Sequence, residues 1–190
     1  MDFSFEKRIS WLKSDHFSYG KQVIVIEKEE EGLAQVEVIS HNGNDLCLVK
    51  TTQKNRLQYL KCQKVADGTL CEILDNQTTR LHLIECKKTI SLSSWIKAIN
   101  QFEGGLLNLF AVCGVLGLTK VVDVTVYTAY QNNKLDPDKI TDPVLLKNKS
   151  GSSDPTVYQQ WLDNSVLMQG EFFTHIPIML DQSGNGKVSV

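Results

Sequence analysis

Hydrophobic positions recur with a period of two through the first half of the chain and with a helical period after it. At the start, Phe5, Ile9 and Leu12 share one face and predict a short amphipathic helix over Phe3–Leu12, with Asp15 near its end. Gln22–Glu27 is rich in β-branched residues, and Leu33–Ile39 alternates apolar with polar. The charged turn Glu29-Glu30-Glu31-Gly32 between them predicts a hairpin. Glu37 inside the second run reads as a solvent-face acid. Asn42-Gly43 is a tight-turn signal, and Asp45–Lys50 follows as a strand. Thr51–Arg56 is polar and loop-like, and Leu57–Lys64 is too short to assign. After the Asp67-Gly68 turn, Leu70–Leu74 and Arg80–Thr89 predict a second hairpin around 75–79. On its longer strand, Leu81, Leu83, Glu85 and Lys87 fall on one face, and His82, Ile84, Cys86 and Lys88 on the other.

Beyond Thr89 the period changes. Ser91 or Ser93 caps a long helix, and Trp95, Ile96, Ile99, Phe102, Leu106, Leu109, Phe110 and Cys113 give it a broad apolar face. It ends near Gly114 or Gly117. Gly104-Gly105 in its middle costs about 1 kcal/mol per glycine against alanine. The pair either lets the helix lie close on the sheet or breaks it in two. Val121–Tyr130 reads as a central strand. Gln131–Pro155 holds three of the four prolines and reads as a long surface loop. Tyr158–Met168 predicts a short helix carrying Trp161, and Glu171–Leu180 a strand. Asp181–Lys187 is a turn into Val188–Val190, a closing hairpin. These elements predict an α/β protein of mixed α+β sheet type. Residues 1–130 form the core, and 131–190 a loop-rich C-terminal extension packed on the same domain.

Composition adds three constraints. The net charge of −2 gives no global case for a polyanionic partner, but the charge is uneven. Residues 1–49 sum to −4, 50–97 to +5 and 98–190 to −3, so the basic excess surrounds the Glu85 strand. The five cysteines form no CxxC pair and sit mostly in apolar runs, which predicts buried free thiols in a reducing compartment. The N-terminus carries no apolar signal region, and the apolar run Leu106–Leu118 is too short to span a bilayer. The expectation is a cytoplasmic protein with no membrane contact. His16, His41 and His175 lack ligand-like partners at useful spacing, and His82 reads as a sheet-face histidine. Asp181–Lys187 fits neither a calcium loop nor a phosphate loop.

An acid and a lysine two positions apart, Glu85 and Lys87, end an apolar strand, and a second acid, Glu72, stands in the paired strand. Two carboxylates suffice to hold Mg²⁺ or Mn²⁺, because such ions retain water ligands. A held cation neutralises a phosphodiester and activates a water. Lys87, on the face of Glu85, can orient that water or stabilise the charged phosphorane. Asp75 and Asp67 are rival first acids, but both read as turn residues.

Glu72, the phrase Glu85-Cys86-Lys87 and Gln101 in the following helix together resemble the PD-(D/E)xK nuclease superfamily over roughly residues 57–130. The resemblance implies a restriction-endonuclease-like αβββαβ core and a metal-dependent DNA endonuclease. It implies Glu72, Glu85 and the Cys86 carbonyl as metal ligands, Lys87 as catalytic lysine and Gln101 facing the site. It also implies DNA as partner, with a homodimer or a specificity-bearing partner protein, and suggests a part in bacterial defence. The sequence departs from the usual aspartate by placing a glutamate, Glu72, as first acid. The alternative is a non-catalytic interaction or regulatory module that keeps the nuclease-like fold.

Overall fold

A computed structural model describes residues 4–29, 32–50, 57, 60–62, 64–136 and 157–190. The sequence readings for 51–56, 58, 59, 63 and 137–155 lie outside these residues.

Ser4 caps α1 (Phe5–Ile9) by accepting from the Lys7 amide, so the predicted N-terminal helix forms but is shorter than its apolar spacing suggests. β1 (Phe17–Gly20), β2 (Gln22–Glu29), β3 (Gly32–Ile39) and β4 (Asp45–Val49) follow. Then come β5 (Gly68–Ile73) and β6 (Thr78–Ile90), the hairpin that carries Glu72 and Glu85. α2 (Leu92–Leu116) and β7 (Lys120–Asn133) come next. The chain closes with α3 (Val157–Leu162), β8 (Ser165–Met168), β9 (Glu171–Met179) and β10 (Asn185–Ser189).

Seven strands form one mixed sheet in the order β1-β4-β5-β6-β7-β9-β8. β4, β5 and β6 pair antiparallel as a meander. β6 and β7 pair parallel, because α2 carries the chain back across one face. β6 is the central strand of the seven and is fully buried from Leu81 to Cys86. That burial on both faces explains its nearly continuous apolar run.

One face packs on α2. Trp95, Ala98, Phe102, Leu106, Leu109, Cys113 and Leu116 meet Cys71, Leu81, Leu83, Val124 and Val126. Each fully buried large side chain of this kind contributes about 1.5–3 kcal/mol. Ile96 and Phe110, expected on the same face, are exposed at 43% and 45%. The apolar stripe is narrower than the sequence suggests. α2 is the one helix among the described residues long and apolar enough to cross a membrane, and its apolar stripe lies against the sheet. Its N-terminus is closed by a capping box between Ser91 and Ser94, and its C-terminus by Gly117 at φ 77°.

The opposite face is covered by a second, three-stranded sheet of order β10-β3-β2. Val23, Val25, Val36 and Val38 pack there on Leu46, Leu48, Leu70, Ile84, Tyr127 and Ala129. β10 pairs parallel with β3, not as a hairpin with its predecessor, so the expected closing hairpin is corrected. The predicted 158–168 helix is corrected too. It stops at Leu162, Asn164 takes a positive φ of 48°, and β8 follows. Asn164 in the left-handed region reverses the chain, so Val166 and Met168 can alternate into the core as a strand. The part of the C-terminal extension described here therefore supplies strands to both sheets.

Candidate functional site

β5 begins at Gly68, opposite Ile84, while β6 runs on to Ile90. Among the described residues, the β5 side of β6 thus has no strand partner beyond Ile84, and a notch opens there. Asp67, the residue just before β5, turns into it. Its Oδ2 accepts from the Cys86 amide at 2.7 Å, and its own amide donates to Glu85 Oε2 at 3.3 Å. The two acids therefore clasp each other through the main chain in place of a regular ladder rung. Lys87 Nζ donates to the other oxygen of Glu85, Oε1. The Glu85 side chain is wholly buried, and that of Lys87 is 17% exposed. Burial first, and then the Asp67 carboxylate, push the Glu85 carboxyl up to about 8, although Lys87 opposes the shift.

Glu72, expected as the first acid, lies apart from this group. It faces Arg80 across the hairpin, toward the far end of β5. It accepts from Asn44 Nδ2 at 2.6 Å and from Arg80 Nη1 at 3.3 Å. His82 Nε2 stands 3.6 Å away, and His82 Nδ1 shares a hydrogen bond with the Tyr127 hydroxyl at 3.1 Å. His82, followed by Asn44 and Arg80, holds the Glu72 carboxyl down at about 2. Glu72 also lies on the other face of the sheet. It shares its parity with Leu70 of the second-sheet core, whereas Glu85 shares its parity with Leu83 under α2.

Pairs numbered outward from the β5–β6 turn run from Ile73–Thr79 to Gly68–Ile84, and one step further along that register would set Asp67 opposite Glu85. Asp75 is exposed in the turn, where its Oδ1 accepts from the Gln77 and Thr78 amides. Those bonds hold its carboxyl low and keep it from the notch.

Gln101 does not reach the acids directly. Its Nε2 donates to the Val65 carbonyl at 3.5 Å, two residues before Asp67. It is one of several α2 residues that hold the segment leading into β5. Cys62 Sγ donates to the Asn100 carbonyl, and the Leu57 amide donates to Asn108 Oδ1. The glycine pair answers the question its position raised: the helix is continuous, and the glycines permit close approach. A Cβ on Gly104 would stand 1.7 Å from the Lys64 carbonyl oxygen, and one on Gly105 2.9 Å from Leu83 Cδ2. α2 thus presses the 64–66 segment into the position from which Asp67 enters the notch.

Two clefts flank the notch. One, between β2 and the 65–67 segment, is lined by Ile24, Ile26, Glu27, Lys50 and Asp67 among others. The second, between the start of β3 and the end of β6, is lined by Glu27, Leu33, Cys86, Lys87, Lys88 and Gln131 among others. Glu27 lines both. Val25 of β2 lies directly on Gly68, where a Cβ would meet Val25 Cγ2 at 2.4 Å. The second sheet therefore sits over the point where β5 begins.

Among the described residues, no three His, Cys, Asp or Glu side chains converge closely enough to enclose a metal ion. What converges is two carboxylates and a lysine. That is too few ligands for a closed zinc-type centre, but enough charge for an oxygen-preferring cation that keeps its waters. No protein-family model matches the chain, and no curated protein or solved structure matches it.

Proposed function

We propose that the protein is a metal-dependent phosphodiesterase of the PD-(D/E)xK type, with a restriction-endonuclease-like core, acting on DNA. Asp67 and Glu85 are its acids and Lys87 its lysine. The observation that carries the reading is the convergence of Asp67, Glu85 and Lys87 in one notch where β5 begins beside β6. The β4–β5–β6 meander, the α2 crossover and the parallel β7 support it as an arrangement.

The two carboxylates, with the Cys86 carbonyl as the resemblance implies, would hold Mg²⁺ or Mn²⁺. When bound, such an ion supplies a Lewis acid for the phosphate and lowers the pKa of a water. Asp67 binds from the main-chain side and fixes the Cys86 amide. Glu85, raised in pKa by its surroundings, would have to be ionised to ligate such a cation. Lys87, paired with Glu85, would supply positive charge beside the phosphate. Gln101 acts as a positioning residue through Val65. The basic excess of residues 50–97 contributes phosphate contacts.

Plasmid nicking with Mg²⁺ or Mn²⁺ tests the assignment. Lys87→Ala, Glu85→Gln and Asp67→Asn each lower turnover by about 10²-fold or more. Glu72→Gln, which lies on the other face, leaves turnover at the wild-type rate. Equal nicking by all four variants would refute the assignment. No nicking by the wild type on any DNA favours the non-catalytic module, for which the buried Glu85–Lys87 pair would serve as a structural lock on β6.

A further inference from the structure

Three of the five cysteines gather in the core between the main sheet and α2. Cys47 of β4 and Cys71 of β5 stand opposite each other in the antiparallel register, and Cys113 of α2 packs in the same core. All three are buried free thiols. Cys71 and Cys113 are in contact, with their Sγ atoms 3.5 Å apart. They are separated by 42 positions in the chain, one on a strand and the other on a helix. Only the folded arrangement of α2 on β5 brings these two sulfurs together.

A buried thiol by itself is inert, because an oxidant reaches it poorly and nothing completes the reaction. A buried pair in contact behaves differently. Once one sulfur is oxidised, the second is already beside it, and the reaction finishes inside the molecule. Sulfurs in contact need only a small side-chain movement to reach the disulfide length of about 2.05 Å. The surroundings also make the two unequal. With Cys71 as the donor in their shared contact, the Cys113 thiol is held below its ordinary value, and the same contact and burial push Cys71 well above it. Burial pushes the neighbouring Cys47 up to about 12. Cys113 is therefore the better nucleophile of the three. The next residue, Gly114, is exposed and carries no side chain, which leaves a short way in for a small oxidant.

We propose that Cys71 and Cys113 form a reversible oxidation site, closing into a disulfide between β5 and α2 with a peroxide as oxidant and a small dithiol as reductant. The Cys113 sulfur attacks one oxygen of hydrogen peroxide, the O–O bond breaks, and a sulfenic acid and a water result. The Cys71 sulfur then attacks Cys113, the S–S bond forms, the S–O bond breaks, and a second water leaves with the Cys71 proton. Two thiols lose two electrons, and one peroxide becomes two waters. A dithiol reverses the bond by exchange. The closed loop contains all of β6 and most of α2, so Glu85, Lys87, Gln101 and Gly104 lie within it. Oxidation thus braces the hairpin and the helix against each other. The inference does not depend on the nuclease reading.

The test treats the full-length native protein with hydrogen peroxide, alkylates it in denaturant and digests it without reductant. Mass spectrometry then finds the Cys71 and Cys113 peptides joined and two hydrogens lighter than the free pair, and dithiothreitol separates them. The joined protein melts higher than the reduced one by about 5 °C or more. Cys71→Ala and Cys113→Ala each remove the joined peptides, whereas Cys47→Ala keeps them. The wild-type peptide map reads the bond directly, whatever these variants do to folding. Oxidation of Cys62, which is only partly buried, confirms that the peroxide has acted. Cys71 and Cys113 still alkylated after Cys62 has been oxidised overturns the proposal. So does a bond from Cys47 in place of either, or Cys113 sulfinic acid with no joined peptide. A joined protein that melts no higher than the reduced one overturns the bond as a brace in the native state.

Discussion

Glu85 and Glu72 are both buried carboxylates, and their surroundings drive them in opposite directions. Glu85 has one cation partner and a neighbouring acid, so its proton is retained up to about pH 8. If the site holds a divalent cation as proposed, that cation would displace the proton. Its apparent affinity should therefore rise about tenfold per pH unit below about pH 8 and level off above it. Calorimetric titration of Mn²⁺ between pH 6 and 8 reads this directly, and a flat profile would remove Glu85 from the ligand set. Glu72 has His82, Asn44 and Arg80 around it, and its carboxyl falls from 4.5 to about 2. A depressed folded-state value stabilises the protein above the unfolded value, and that contribution is lost as pH falls from about 4.5 to about 2. Glu72→Gln should cost about 2–4 kcal/mol at neutral pH. In denaturant melts the gap to wild type should close as the pH approaches 2. A gap that persists unchanged at low pH would mean that the charge of Glu72 is not what stabilises.

At the level of elements, α2 forms one wall of the main core and also holds the segment that brings Asp67 into the notch. Gly104 is the position where this matters most, with the Lys64 carbonyl where a side chain would go. Gly104→Ala should destabilise by about 1–3 kcal/mol despite alanine's better helix propensity. It should also lower turnover by moving Asp67, while Gly114→Ala, where a Cβ meets nothing within 4 Å, should do neither. Comparable turnover and melting in both variants would disprove the clamp. Glu85 and Lys87 are legible in the sequence because a two-residue period on a strand fixes both their face and their spacing. The switch to a helical period after Thr89 is equally plain. Asp67 is hidden because it stands outside its strand, where Asp-Gly reads as punctuation, and because Glu72 sits at a more familiar distance. The residue pairing counted from the turn sets Asp67, and not Glu72, beside Glu85. Gln101 is legible as a residue near the site but not in its role, since its bond to Val65 depends on how closely the two glycines let α2 approach. The second sheet is legible only as a hairpin. Its third strand joins by a parallel pairing between distant segments, for which the local pattern carries no signal.

At the scale of the whole molecule, the main sheet has a helix on one face and a small sheet on the other, and the notch lies where the small sheet meets the start of β5. The small sheet is built from pairings of two very different ranges. β2 and β3 are neighbours in the chain, whereas β10 sets Asn185 against Gln35 and Ser189 against Ile39. In kinetic terms, closing a loop of that length costs more entropy than closing a hairpin, and contacts of long sequence separation slow folding. Refolding from denaturant, followed by pulsed hydrogen exchange, should protect amides of β5 and β6 before those of β10. Simultaneous protection would show one cooperative step. If the order holds, the acids and their lysine come together before the wall that narrows access to them is complete, and the cleft beside β2 takes its final shape only when the most distant pairing in the fold has closed.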